Sequence, residues 1–423
     1  MRSADSVAGM GWVEHAVWWQ VYPLGFAGAP IREADVAPPP APRLDRLLGW
    51  LDHAVELGAN GLLLGPVFAS TSHGYDTLDH LRLDPRLGDD EAFDRLVAAC
   101  RARGVRLVLD GVFNHLGADH PLVRRALAEG PQGPYASWFR IDWAAPGGPR
   151  PAVFEGHEGL VELDHDEPAV ARFVTDVMTH WLDRGADGWR LDAAYRVPAD
   201  FWARVLPAVR ARHPDAWFVG EVLHGDYAAY VHDSTLDSVT QYELWKAVWS
   251  SLVDRNFWEL DWALRRHDEF LATFVPQTFV GNHDVTRITT RVGAEAAVLA
   301  LVVLMTVGGV PSVYYGDEWG LPGLKEERLG GDDAIRSAFP DSPAQLPREG
   351  ERIFRAHQEL VGLRGRHPWL VGARTTATTT TNARYVYETS DGSSSLTVEL
   401  DVTATPTARV LGPGGDVLFR WGC

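Results

Sequence analysis

Residues 92–115 read AFDRLVAACRARGVRLVLDGVFNH. Ala92 to Arg103 spaces its apolar residues at helical period, and Val105 to Asp110 is a short Val/Leu run of the kind that forms a strand buried on both faces. A helix feeding such a strand is the repeating unit of a parallel sheet. The strand ends on Asp110-Gly-Val-Phe-Asn114-His115, where polar groups interrupt a buried element. Burying an unpaired charge is costly, so these residues call for a functional explanation.

The same unit recurs along the chain. Candidate strands are Val17 to Tyr22, Gly61 to Leu64, Val105 to Asp110, Gly188 to Asp192, Trp217 to Glu221, Ser238 to Gln241, Thr278 to Gly281 and Ser312 to Tyr315, which makes eight. Amphipathic helical segments lie between them, among them Leu44 to Leu57, Ala92 to Arg103, Ala169 to Arg184 and Glu295 to Thr306. Eight alternations predict an α/β fold, a (β/α)8 TIM barrel, with its site at the C-terminal strand ends. Two segments break the alternation. Leu116 to His165 is rich in Pro, Gly and aromatics, and reads as an inserted subdomain (116–165) after the third strand, walling the site. After Arg366 the helical period stops. Tyr385 to Glu388, Ser395 to Leu400 and Val417 to Trp421 read as strands, and Thr375 to Thr381 as a strand or a linker. The predicted division is a catalytic barrel over 1–365 and a small C-terminal β domain over 366–423. Pro38 to Pro42 reads as a stiff loop.

With 423 residues, 46% hydrophobic content and 17 Trp, the chain can bury a core larger than one typical domain. Thirty-nine Lys+Arg against 57 Asp+Glu give a formal charge of −18. That charge repels phosphate backbones and anionic membranes, which excludes nucleic acid as a partner and leaves a neutral substrate unobstructed. Met1 to Trp12 lacks the apolar core of a signal peptide, and Leu301 to Val313 is broken by Gly308, Gly309 and Pro311. No membrane association and a cytoplasmic location are therefore expected. Cys100 and Cys423 offer neither a disulfide framework nor metal-ligand spacing.

Four strand ends carry acids: Asp110, Asp192 in Gly188-Trp-Arg190-Leu-Asp192, Glu221 in Gly220-Glu221-Val222, and Asp284 in Val280-Gly-Asn282-His283-Asp284. Singly, each reads equally well as a helix cap or a paired structural carboxylate. Together, on one barrel face with Arg190 among them, they can push one carboxyl pKa up and another down, as acid and nucleophile roles require. Glycoside cleavage uses two such carboxyls.

At these residues the chain resembles the α-amylase superfamily, glycoside hydrolase family 13. Residues 110–115, 188–192, 220–222 and 280–284 match its four conserved regions in order and spacing, and Gly61 to Phe68 and Gly309 to Gly316 add two more matches. The resemblance covers roughly the first 365 residues. It implies Asp192 as nucleophile, Glu221 as general acid/base and Asp284 as transition-state stabiliser. Arg190 is implied to keep Asp192 ionised; His115 and His283 to bind the same sugar ring; Tyr75, in His73-Gly-Tyr-Asp76, to stack on it. Asp110 reads as support for Arg190 or the histidines, and Trp18, Trp19 and Trp189 as core or wall. Asn114 matches a position that ligates calcium in many members, although 116–165 contains no recognisable acidic calcium loop; no cofactor is required.

Tyr75 to Gly88 is most similar to the cyclomaltodextrinase and neopullulanase branch, which implies maltooligosaccharide or related α-glucan substrates and cleavage of α-1,4 bonds by double displacement. That branch carries an N-terminal β domain that pairs subunits. The first strand here begins near Val17, so the oligomeric state and a cyclodextrin preference are not implied. Two alternatives stand beside hydrolysis. One is transfer of the glycosyl group to another sugar, as in trehalose-forming members, with the same residues. The other is a silent carbohydrate-binding or regulatory protein on the same fold, which the presence of all three carboxylates disfavours.

Overall fold

A computed structural model describes residues 11–32 and 41–422. Most of Met1 to Trp12, the prolines at 38–40 and Cys423 lie outside the described residues. Eight strands form one parallel sheet: β1 (Trp18–Val21), β2 (Gly61–Leu64), β3 (Arg106–Gly111), β4 (Gly188–Leu191), β5 (Trp217–Gly220), β6 (Ser238–Val239), β7 (Gln277–Phe279) and β8 (Val310–Tyr314). Their order is β6-β5-β4-β3-β2-β1-β8-β7, and a parallel bridge from Thr240 to Gln277 joins the two ends. The ring is the TIM barrel that the eight alternations predict.

Alternation along each strand decides what faces inward. Trp18, Leu63, Val108, Trp217, Val219 and Val310 form a small interior cluster, with Trp18 stacked on Trp217 at 5.2 Å. Trp19, Leu62, Leu64, Leu107, Leu109, Trp189 and Phe218 belong to the large cluster under the helices. The interior is crowded, and glycines stand where strands and rings approach most closely. A Cβ on Gly61 would lie 2.3 Å from the Trp18 ring, and one on Gly188 would lie 2.3 Å from the Trp217 carbonyl.

The expected helices form with small shifts, such as Asp90–Ala102, capped by Asp89 through Ala92 N–H, and Pro168–Asp183. Two differ from expectation. Leu44 to Leu57 is a 3-10 stretch over Arg43–Trp50 that becomes α-helical only at Leu51–Leu57, consistent with Pro42 at its start and Gly49, a poor helix former, inside it. Ala294–Thr306 is not amphipathic. Every residue from Ala296 to Thr306 is buried, because the helix lies between the barrel and a second sheet.

That second sheet is antiparallel, with β9 (Arg374–Thr380), β10 (Arg384–Ser390), β11 (Ser395–Asp401), β12 (Thr407–Leu411) and β13 (Val417–Trp421) in sequential order. The threonine run is a strand, on the edge; β12 was not expected from its sequence. The Tyr387 hydroxyl meets Thr306 Oγ1 at 2.6 Å, and Trp421 donates to the Glu295 carbonyl, fastening sheet to helix. The excursion after β3 opens with His115–Gly117 paired to Leu160–Glu162 and holds the helix Pro121–Glu129 and a short hairpin. No helix among the described residues is long and apolar enough to cross a membrane.

Candidate active site

The inward parity that fills the barrel also aims the acids. Asp110 lies two residues beyond Val108, Asp192 two beyond Arg190 and Glu221 two beyond Val219, so each carboxyl emerges above the packed interior at its strand's C-terminal end. Register brings partners together: Arg190 on β4 sits directly beside Asp110 on β3.

Arg190 is the hub. Its Nη1 donates to both Asp110 oxygens at 2.6 Å and reaches Asp192 Oδ1 at 3.4 Å, while Nη2 lies 2.8 Å from Glu221 Oε1. Burial would lower the guanidinium pKa, but the surrounding carboxylates hold it well above its ordinary value. Glu221 is further fixed by Tyr242 O–H at 3.1 Å and by the backbone N–H of Ala193 at 3.0 Å. Ala193 takes a left-handed φ of 46°, a conformation that costs a non-glycine residue roughly 1–2 kcal/mol, and in doing so turns its N–H onto Glu221.

Asp284 is held differently. Arg336 Nη2 donates to its Oδ1 at 2.7 Å, and His283 Nε2 lies 2.9 Å from its Oδ2. Asn282 Oδ1 accepts from its backbone N–H, while Asn282 Nδ2 donates to Tyr242 O–H, linking the third acid to the second. Tyr75 stacks on His283 at 5.5 Å, nearly parallel, and its hydroxyl contacts both Asp110 and His283 Nε2. Gln20 closes the far side of the imidazole at 3.4 Å. His115 is one layer out, bonded to the Tyr75 carbonyl at 3.1 Å and covered by Phe154 at 4.9 Å.

The electrostatics separate the carboxyls. Burial pushes Asp192 well up, the Glu221 carboxylate pushes it further, and Arg190 only partly opposes them. Arg190 acts on Asp192 in the expected direction, favouring the ionised form, but its shortest contacts go to Asp110 and Glu221 and burial outweighs it. Asp110 is raised as well, chiefly by burial. Burial works the same way on Asp284, but the charge and hydrogen bond of His283, with Arg336, overcome it and hold the carboxyl far below the usual range. Burial drives His115 down to about 3, so its imidazole is neutral.

Asn114 stands behind this cluster, buried, with its amide Nδ2 3.0 Å from His115 Nδ1 and its carbonyl bonded to Leu163 N–H. Calcium takes about 6–8 oxygen ligands with carboxylates among them. Among the described residues there is no group of three or more His, Cys, Asp or Glu that could hold a metal ion. Trp18, Trp19 and Trp189 are fully buried core residues.

Sequence reasoning missed Tyr242, Asn282 and Arg336. Tyr242 had a signal, an aromatic immediately after a barrel strand. Arg336 lies in an irregular stretch after β8, and only the fold brings it to Asp284.

Eight parallel strands closed into a ring, with carboxylates converging at the ends of β3, β4, β5 and β7, define a (β/α)8 barrel protein with an acid-centred site. The chain belongs to the α-amylase family: the model of the alpha amylase catalytic domain matches residues 20–392. It is 30% identical over 389 residues to a cyclomaltodextrinase of Geobacillus thermopakistaniensis (strain MAS1), covering 86% of this chain and 64% of that protein. It is 32% identical over 381 residues to neopullulanase 2 of Thermoactinomyces vulgaris, covering 84% and 63%. The chain thus spans a little under two thirds of the length of these relatives. Among solved structures, the ligand-free cyclic α-maltosyl-(1→6)-maltose hydrolase from Arthrobacter globiformis superposes with a TM-score of 0.81 at 28% identity, covering 96% of this chain and 97% of that one.

Proposed function

We propose that this chain is a retaining glycoside hydrolase that cleaves α-1,4-glucosidic bonds in maltooligosaccharides or related α-glucans, with Asp192 as nucleophile, Glu221 as acid/base and Asp284 as stabiliser. The observation that carries the reading is that one guanidinium, Arg190, touches both Asp192 and Glu221. Both carboxyls therefore belong to one site, and retention requires them to lie about 5–5.5 Å apart, against about 6.5–9.5 Å in inverting enzymes, which admit water between theirs. The α-glucan substrate class is supported by the names of the relatives.

In the first step the Glu221 proton passes to the leaving glycosidic oxygen while an Asp192 oxygen bonds to the anomeric carbon and the glycosidic bond breaks. In the second, the Glu221 carboxylate takes a proton from water, the water oxygen bonds to the same carbon, and Asp192 is released. Arg336 and His283 keep Asp284 ionised, so that it accepts hydrogen bonds from the sugar hydroxyls as positive charge develops on the ring.

The test is product analysis by NMR on maltoheptaose, a cyclodextrin, starch, pullulan, sucrose and maltose. The expected result is shorter maltooligosaccharides released first as the α-anomer. First release of the β-anomer sinks retention; trehalose from maltose points to transfer in place of hydrolysis; no turnover on any of them points to a binding protein.

Two further outcomes follow. Asp192 must be ionised to attack, and its pKa is raised, so kcat/KM should fall on the acid side at a pH above the ordinary carboxylate value of about 3.9. An acid limb at or below that value contradicts the assignment. Because 116–165 contains no recognisable acidic calcium loop, EDTA should leave most of the activity and shift Tm little; a calcium-dependent Tm would overturn this.

A further inference from the structure

Every other tryptophan is buried or half-buried, but Trp258 and Trp262 are 52% and 62% exposed, and they are the only exposed aromatic residues among the large apolar ones described. They lie one turn apart on the helix Trp258–Phe270, so both rings project from one face. The Trp258 indole N–H donates to Asn382 Oδ1 at 3.1 Å, which fixes that ring in place. The helix packs beside edge strand β9, where Asp268 accepts from Thr375 N–H at 3.0 Å, and Thr376, Thr378 and Thr379 of that strand are exposed.

Charges bordering the indoles are paired: Asp261 with Arg265 at 2.6 Å, and Glu259 with Lys246. In a chain of net charge −18 this strip is close to neutral and offers aromatic faces beside hydroxyl groups. A stable subunit interface buries about 800 Å² per partner. A whole tryptophan supplies about 150–250 Å², so two half-exposed rings fall far short of that and suit a narrow ligand. A chain of pyranose rings has the matching chemistry, with apolar C–H faces to stack on the indoles and neutral hydroxyls to meet the rim.

We propose that Trp258 and Trp262 form a second glucan-binding surface, on the outside of the barrel beside the C-terminal sheet, that holds long α-glucan chains. The proposal rests on the α-glucan reading of the active site for the choice of ligand. It predicts a division of labour: short substrates are indifferent to the strip, while polymeric ones are held by it.

The test compares the wild type with Trp258→Ala/Trp262→Ala in co-sedimentation with insoluble amylose, in turnover of maltotriose, and in molar mass by light scattering. The expected result is amylose affinity weakened about tenfold or more, from the stacking area lost, with unchanged maltotriose kcat/KM and mass. Trp262→Phe should keep most of the binding. If the double variant misfolds, Trp262→Ala, which removes no hydrogen bond seen here, gives the same reading. Equal amylose binding by folded variants, or none by the wild type, overturns the proposal. So does a wild-type oligomer that dissociates on substitution, since the strip is then a subunit contact. Failure of the wild type to turn over maltotriose counts against the hydrolase reading and not this one, because amylose binding needs no turnover.

Discussion

Asp192→Asn is expected to lose turnover of maltoheptaose by on the order of 10⁴-fold or more while still binding it. The substitution keeps the size of the side chain and removes only its ability to bond to the anomeric carbon. Arg190 keeps its two shortest partners, Asp110 and Glu221, so the site should not collapse. The variant should also be more stable than the parent at neutral pH. Asp192 has a folded pKa raised above its unfolded value, so its contribution to stability is fully present below the unfolded value and is lost as pH rises through the folded one. An amide has no such loss. Steady-state kinetics, calorimetric binding and a Tm series against pH check the three statements. Wild-type turnover by Asp192→Asn would remove the nucleophile assignment outright.

The barrel was legible because its signal is local and repeated. Each strand is a short apolar run, with Gly61 where the Trp18 ring packs against it and Gly188 where the backbone of Trp217 comes close. What escaped was set by tertiary context. Ala294–Thr306 keeps a helical period, but its burial on every side comes from a sheet nearly a hundred residues further along the chain. Strand β12, Thr407–Leu411, is five residues between Pro406 and Gly412, too short to show a period.

The acids were legible for a related reason, since a charge ending a buried strand is conspicuous in a linear reading. Their partners were less so. Arg336 reaches Asp284 across 52 residues, from a stretch that carries no motif, and nothing short of the fold predicts that contact. The role given to Arg190 shows a second limit. Its nearness to Asp192 in sequence suggested an ion pair, which forms at 3.4 Å, but β3 and β4 register brings the guanidinium closer still to Asp110, at 2.6 Å. Sequence proximity names the participants; distance decides which charge each one answers.

Glu221→Ala should behave unlike Asp192→Asn, and the difference is the most demanding check on the proposed mechanism. An α-glycosyl fluoride has a leaving group that needs little protonation, so the first step, attack by Asp192, should proceed nearly normally. The second step lacks its base, and the glycosyl-enzyme should accumulate and hydrolyse slowly, by about 10²–10⁴-fold. Loss of the Glu221 side chain frees Tyr242 O–H and Ala193 N–H and opens space beside Arg190, a cationic site suited to a small anion. Added azide should enter there and attack the anomeric carbon without needing a base, raising turnover with azide concentration. Two inversions preserve configuration, so the product should be the α-glycosyl azide, identified by its anomeric coupling in NMR. Recovery of the β-azide would mean a single displacement with azide in place of the missing carboxylate, and would make Glu221 and not Asp192 the nucleophile.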